Sequence, residues 1–407
     1  MTGSRLIVLG ILGGMPVAGV TWQFVHYLEG FRRLGFDVIY IEDTRTWPYD
    51  PETNTVTDEC RYAVSYLAEV MERHGFGDRW AYRAATPGGG TFGLSESRVA
   101  RLLEDAAALV NITGSTLLRD EHRRVPVRIY LETDPVGAQI EIAKGNPHPI
   151  ELLDAHTHHF TFGENFGRPD CGVPIERFVY RPTRQPVVLD WWKQPTVSPS
   201  PCFTTIASWR QSGQDVEWNG ETYTWSKHHE FLKLIDLPRW TAQPLELALG
   251  LKSTVSDDEH GWVLTDDDEV EAVRMLRSYG WRVTNGMWLS RTPTPYRDYI
   301  QSSRGEFTVT KDQYVRLRSG WFSDRSACYL AAGHPVITQD TGFGAHLPTG
   351  EGLFAFNTRD DVLAALDAVN ADYAHHQRVA RAIAEEYFRA ETVLARLLED
   401  AGLGHRR

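Results

Sequence analysis

The 407-residue chain holds only four cysteines, Cys60, Cys171, Cys202 and Cys328, and none forms a Cys-x-x-Cys pair. Their spacing excludes a zinc knuckle or a disulfide framework and points to reduced thiols in a cytoplasmic setting. No apolar run is long enough for a membrane span. The stretch from Leu6 to Val20 has the length of a signal-peptide core. Gly10, Gly13, Gly14 and Gly19 nevertheless divide it into a short buried strand, Leu6 to Leu9, and a loop. Basic residues are in deficit, giving a formal net charge of −12. This argues against a nucleic-acid polymer as partner, because such binders need a basic face that releases counterions. A small anion needs only a local basic pocket. Gly-Ile-Leu-Gly-Gly-Met at 10–15 lacks the G-x-G-x-x-G spacing of a dinucleotide fingerprint, so redox use is disfavoured.

The remaining composition, 42% hydrophobic and 24% charged, is that of an ordinary globular protein. The length exceeds what one core supports, which predicts two domains. A strand at Leu6 to Leu9, a helix carrying Phe24, Leu28 and Phe31 on one side, a Gly35 stop and a strand at Val38 to Ile41 form a parallel crossover unit. Ala108 to Ile112 and Val127 to Leu131 add buried strands, making the first half doubly wound α/β. Five prolines, at 182, 186, 195, 199 and 201, favour an extended connection, and the boundary is placed between 195 and 196. After it the rhythm resumes. Phe203 to Ala207 reads as a strand, Thr265 as the cap of a helix over 266–279, and Trp281 to Thr284 as the next strand. Thr358 with Asp361 caps a further helix, and about 372–401 is helical.

The most informative segment runs from Ser319 to Leu347. It reads as a turn, a helix opened by Ser323, a stop at Gly333, a buried strand at Val336 to Thr338 and a Gly-rich loop. A helix start leaves backbone N–H groups unpaired and partly positive, which suits an anion. Asp324 complements that dipole, whereas Arg325 opposes it and so requires a partner: a bound phosphate is the first choice, an internal carboxylate the alternative.

This segment resembles the donor half of the GT-B glycosyltransferases, in which a small-residue helix ending in Ala-Gly-x-Pro-Val precedes a Gly-containing loop. The matching residues are Ala331, Ala332, Gly333, Pro335 and Val336, with Ser323, Asp324, Arg325 and Ser326 at the helix start. The resemblance implies two Rossmann-like α/β domains facing a cleft, 1–195 for an acceptor and 196–384 for a nucleotide-sugar donor. It also implies a terminal helix, about 385–407, that returns to the first domain. It places the donor diphosphate at 323–326, a basic residue from the loop after Phe203 to Ala207 (Arg210 or Lys227, with Ser208 at the strand end), and the donor sugar near Asp340, Thr341 and Gly342. Glu306 and Lys311, just before the segment, are candidates for ribose or phosphate contact. Many retaining members carry two glutamates eight positions apart; the aligned positions here are Gly320 and Cys328. Neither is acidic, which favours inversion.

Inversion needs a base for the acceptor hydroxyl and positive charge or N–H dipoles for the leaving diphosphate. Asp134, in the Glu132-Thr133-Asp134-Pro135 turn after a buried strand, is the first candidate, with Glu132 as the alternative and a helix-capping role as the bland one. His159, in the His156-Thr157-His158-His159 run, is a second candidate. A metal is not expected there, since no recognised ligand spacing is present. Asp266, Asp267 and Asp268 start a helix and complement its dipole. Gly13, Gly14 and Met15 suit a thin loop near the acceptor. The sequence therefore predicts a cytoplasmic glycosyltransferase needing no cofactor beyond its nucleotide-sugar co-substrate, moving a hexose to a small acceptor. A nucleotide-sugar 2-epimerase and a non-catalytic nucleotide-sugar-binding protein are the alternatives. Oligomeric state is open.

Overall fold

The computed structural model describes residues 3–86, 89–193, 200–211, 213–251, 254–255, 263–264 and 266–404. The chain separates into two compact units, one of Met1–Phe166, Pro174–Val188 and Phe388–Arg407, the other of Gly167–Val173 and Leu189–Tyr387. The chain thus passes between units at Val188 and Leu189; the boundary expected at 195/196 lies outside the described residues.

The first unit is built on eight strands: β1 (Arg5–Leu9), β2 (Asp37–Glu42), β3 (Trp80–Arg83), β4 (Thr91–Gly93), β5 (Ala108–Ile112), β6 (Val127–Glu132), β7 (His158–Thr161) and β8 (Tyr180–Pro182). Their order is β8-β7-β6-β5-β1-β2-β3-β4, and every pairing is parallel except that of β3 with the edge strand β4. Leu6, opposite Val38 and Ala108, begins a run through Leu9 that is wholly buried. Such a run is what a central parallel strand covered on both faces requires. The helix Ala18–Arg33 buries Phe24, Leu28 and Phe31, and Gly35 at φ 88° turns the chain out of it. The last helix, Ala390–Asp400, lies on this first one. A Cβ built on Gly30 would stand 2.4 Å from Leu394 Cδ1 and 3.2 Å from Ala390 Cβ, so glycine sets how close the two helices approach.

The second unit has six parallel strands: β9 (Phe203–Ser208), then, beyond a small hairpin of β10 (Val216–Trp218) and β11 (Glu221–Tyr223), β12 (Leu245–Gly250), β13 (Arg282–Asn285), β14 (Gly305–Thr308), β15 (Val336–Gln339) and β16 (Leu353–Phe356). Their order is β13-β12-β9-β14-β15-β16. Phe203, Leu247, Phe307 and Ile337 from four of these strands share one core with Leu276, Val362 and Leu366 from the covering helices. The sheet therefore packs this apolar core against its covering helices, while Thr204, Thr205 and Glu306 are buried polar residues within its strands. Asp266, not Thr265, caps the helix Asp267–Ser278, accepting the Glu269 N–H at 3.0 Å; Thr265 lies outside the described residues. Thr358 and Asp361 cap each other's backbone N–H groups as expected.

Both units are doubly wound α/β, with parallel strands joined through helical crossovers and an interior position in each sheet occupied by its first strand. Among the described residues no helix is long and apolar enough to cross a membrane.

Candidate active site

In open parallel sheets ligands bind outside the carboxyl ends of the strands. In the second unit these ends include Ser208, Thr308 and Gln339, and the expected donor contacts lie at them or in the segments that follow, except Glu306, which is within β14.

The helix expected at Ser323 runs Asp324–Ala331, with Ser323 at its cap position though its side chain makes no capping bond. Arg325 has an internal partner. Its Nε donates to Glu306 Oε1 at 2.6 Å, Nη1 to the Ile206 carbonyl at 2.6 Å and Nη2 to Thr308 Oγ1 at 3.0 Å. Glu306 is completely buried. Arg325 and Glu306, expected as two separate ligand contacts, thus form one internal pair, and the guanidinium fork is spent on the sheet. The physical cause is the one the sequence raised: a cation in the first turn of a helix opposes the dipole and must be balanced by a carboxylate. Here Glu306 on β14 is the nearest carboxylate. Ser326 is wholly buried with its hydroxyl unpartnered, so it lies beneath the helix start.

Thr341 likewise turns inward. Its hydroxyl donates to the Trp321 carbonyl at 2.6 Å, while its own carbonyl accepts the Gly320 N–H at 2.8 Å, knitting the loops before and after the helix together. Asp340 accepts the Gly342 N–H at 2.7 Å, and Gly342 takes φ 88°, a conformation that favours glycine. Arg210 pairs with Asp268 at 3.4 Å, but both are exposed, and such a pair contributes little. Ser208 is exposed at the end of β9.

Positive charge gathers instead at Lys311 and Lys227. Lys311 is buried; its Nζ stands 3.0 Å from the centroid of the Trp225 ring and 5.1 Å from that of Tyr314, and donates to Tyr314 Oη at 3.2 Å. Tyr314 in turn packs on Trp321 at 4.8 Å, and Lys227 Nζ lies 5.9 Å from the Trp321 centroid. Beside Lys311 in sequence, Gln313 is wholly buried with neither amide atom partnered, and the Thr310 hydroxyl is also buried and unpartnered. Buried polar groups are almost always satisfied in native structures, so orphaned ones on both sides of Lys311 in the chain mark a place for a polar ligand or water. The sequence singled out Lys311 but not Tyr314 or Gln313, which lie in the short helix that Lys311 caps.

In the first unit the Gly13-Gly14 loop closes on a group the sequence did not flag. Glu42, at the end of β2, is fully buried and accepts the N–H groups of Gly13 at 2.8 Å and Gly14 at 2.5 Å, plus Tyr40 Oη at 2.9 Å. Burial pushes its pKa to about 7, against the lowering effect of those donors. The amides of Gly13 and Gly14 are therefore taken by the protein's own carboxylate, while Met15 next to them is exposed. The available signal was an acidic residue closing an apolar strand, Val38 to Ile41.

The three candidate bases differ. Asp134 is exposed. Val136, not Asp134, holds the cap position of the helix Gly137–Ala143, and it does so at φ 92°, a genuine outlier for a β-branched residue. Glu132 is buried. Its oxygens accept Gln139 Nε2 at 2.8 and 2.9 Å and Thr161 Oγ1 at 2.8 Å, and burial raises its pKa to about 7. His159 directs Nε2 to the Leu153 carbonyl at 2.9 Å and packs on Phe178, and burial lowers its pKa. Glu132 and His159 are thus engaged by the interior, and Asp134 is the carboxylate at the surface of this edge.

One group of metal-ligand types occurs among the described residues, Asp43, Glu121 and His122, with ligand atoms within 4.8 Å of one another. Its chemistry is that of an ion-pair network. Arg83 Nη1 pairs with Asp43 at 3.0 Å and Glu121 at 2.5 Å, and Arg119 pairs with Asp43 as well. His122 Nδ1 accepts the Arg119 N–H at 3.1 Å, so in the neutral ring Nε2 carries the proton and has no lone pair to give a metal.

No family model matches the sequence, and no curated protein matches it. Solved structures do match, over nearly the whole chain. An alpha-glucosyltransferase in complex with UDP and a 13-mer DNA is 7% identical, with 98% of this chain and 100% of that one covered at a TM-score of 0.59. Anabaena HepE in complex with UDP and glucose gives 10%, 98%, 99% and 0.56, and sucrose-phosphate synthase from Thermosynechococcus elongatus 12%, 98%, 100% and 0.51.

The fold is GT-B.

After the strands of the second unit the described residues offer a buried ammonium in an aromatic setting, a second lysine, unpartnered buried amide and hydroxyl groups, and a helix start whose arginine is already neutralised.

Proposed function

We propose that this protein is a glycosyltransferase that moves a hexose from a nucleoside diphosphate sugar to a hydroxyl of a small acceptor, with inversion. One observation carries the donor assignment: the Lys311 ammonium is buried against Trp225 and Tyr314 in the segment that follows β14, and two residues on in the chain the Gln313 amide is buried and unpartnered. Lys311 and Lys227 together supply the charge that a diphosphate leaving group needs, in a low-dielectric setting where it counts most. The UDP and glucose in the HepE structure support a UDP-hexose as donor.

In the reaction, Asp134 takes the proton of the acceptor hydroxyl as its oxygen attacks the anomeric carbon. The bond from that carbon to the β-phosphate oxygen breaks, and UDP leaves with the electron pair, its new charge met by the two lysines. Gly320 and Cys328 stand where retaining relatives carry carboxylates, which supports single displacement. The step needs no metal, so chelation should leave the rate unchanged. The net charge of −12 supports a small acceptor over a polymer, although the glucosyltransferase structure above contains DNA.

The deciding experiment is a thermal-shift screen of UDP-, GDP-, ADP- and dTDP-hexoses on the full chain. A donor held at 100 times its Kd stabilises by about 2.7 kcal/mol. The donor found is then incubated with hydroxyl acceptors, DNA included, and the anomeric configuration of the product read by NMR. A transferred hexose of inverted configuration is expected. Retention would overturn the mechanism, a changed sugar without acceptor would make the protein an epimerase, and no shift with any donor would sink the assignment.

A further inference from the structure

Between β9 and the helix His228–Lys233 the chain detours through the hairpin β10–β11, turned by Asn219 at φ 51° and Gly220 at φ 80°, the conformation that matches the twist of paired strands. A two-stranded hairpin is marginal by itself and needs an anchor. Arg316, on the helix Asp312–Arg316, supplies it. The guanidinium pairs with Glu221, donates to the Thr222 carbonyl at 2.9 Å, lies 4.2 Å from the Tyr223 ring centroid and pairs with Asp312 at 3.3 Å. The exit of the hairpin is fixed as firmly. Asp312 Oδ2 accepts the Thr224 N–H at 3.1 Å, and Asp215 Oδ1 accepts the Trp225 N–H at 2.8 Å.

All of these contacts converge on the next side chain, Trp225, whose ring faces the Lys311 ammonium. The short helix thus carries Lys311 at its start and the latch for the hairpin at its end, and the hairpin returns an aromatic face to that same lysine. A flexible ammonium loses several rotatable bonds when it holds one ligand oxygen, and an aromatic wall that fixes it beforehand removes that cost.

We propose that the hairpin is a clasp that positions Lys311 for the phosphates of a nucleoside diphosphate, with Trp225 as the positioning residue and Arg316 as its latch. The clasp rests on the donor assignment above and goes beyond it by naming what sets the affinity for phosphate. Its signature is selective: loosening the clasp weakens the hold on phosphate and not on the nucleoside.

The test is titration calorimetry of the full chain with UDP and with uridine, for wild type, Trp225→Ala, Trp225→Phe and Arg316→Met, each checked for an unchanged circular dichroism spectrum. Trp225→Ala should weaken UDP about tenfold and Arg316→Met by a smaller factor, with the UDP-to-uridine affinity ratio falling in both, while Trp225→Phe stays within about threefold of wild type. Wild-type UDP affinity in Trp225→Ala, or equal losses for UDP and uridine, would overturn the clasp and leave the donor assignment standing. Failure of the wild type to bind UDP would remove both.

Discussion

Arg325 and Glu306 form one buried unit: the guanidinium reaches from the first turn of its helix to a carboxylate on β14 at 2.6 Å, with the remaining donors on Ile206 and Thr308. The charge of Arg325 is thereby balanced within the protein, and this separates the stability of the second unit from its affinity for anions.

Removing one partner strands the other charge. Arg325→Ala should cost about 3–5 kcal/mol in urea unfolding, whereas Arg325→Met with Glu306→Leu should recover part of that loss, because no unpaired charge remains. Donor affinity per folded molecule should stay within about threefold of wild type. A loss of affinity with unchanged stability would return Arg325 to the ligand.

Glu42 should give the stability a pH signature. Its pKa rises from 4.5 to about 7 on folding, so between these values the folded state binds more proton than the unfolded one. The stabilisation is then full below about 4.5 and is lost as pH rises to about 7, amounting to roughly 3 kcal/mol. Glu132 titrates in the same window and for the same cause, burial. Urea melts of wild type and Glu42→Gln at pH 5 and pH 8 isolate one group: the advantage of wild type over the variant should shrink with rising pH. An advantage that grows would mean that the Gly13 and Gly14 amides outweigh burial.

The contact between Gly30 and Leu394 should show strong coupling. Gly30→Ala pushes a methyl into Leu394 and should cost about 1–3 kcal/mol. Leu394→Ala should cost about 2–5 kcal/mol. The double variant makes room for the new methyl, so its cost should fall below the sum by about 1 kcal/mol in a double-mutant cycle. Additive costs would show that the two helices slide apart instead.

These sites differ in how far local pattern specifies them. Leu6 to Leu9, Ala108 to Ile112 and Phe203 to Ala207 are legible because a buried parallel strand needs a largely apolar run, broken here only by Asn111, Thr204 and Thr205, and Thr358 with Asp361 because a capping box is a contact three residues long. The partner of Arg325 was legible only as a need. Which carboxylate meets it depends on how β14 registers beneath the helix, and the same holds for Glu42, whose partners lie 28 and 29 residues away. The hairpin was within reach of the sequence: Asn219-Gly220 between Val216-Glu217-Trp218 and Glu221-Thr222-Tyr223 is a strong turn signal. The aromatic setting of Lys311 was not, since it joins the end of that hairpin to a residue 86 positions later through tertiary contacts such as those of Arg316 and Asp312.

Asp134 and Lys311 should separate in steady-state kinetics once a donor is known. A general base acts in the transition state and contributes typically 10²–10⁴-fold, so Asp134→Asn should lower kcat by about that factor while the donor KM stays near wild type. Lys311 meets charge both in the bound donor and on the leaving UDP. Lys311→Met should therefore raise the donor KM and lower kcat together, and its defect should shrink for donors with a better leaving group. If Asp134→Asn retains kcat while Lys311→Met loses it, proton removal is not carried by Asp134 and the base must be sought elsewhere. If both variants change only KM, the two residues bind substrate without acting on the step that breaks the glycosyl bond.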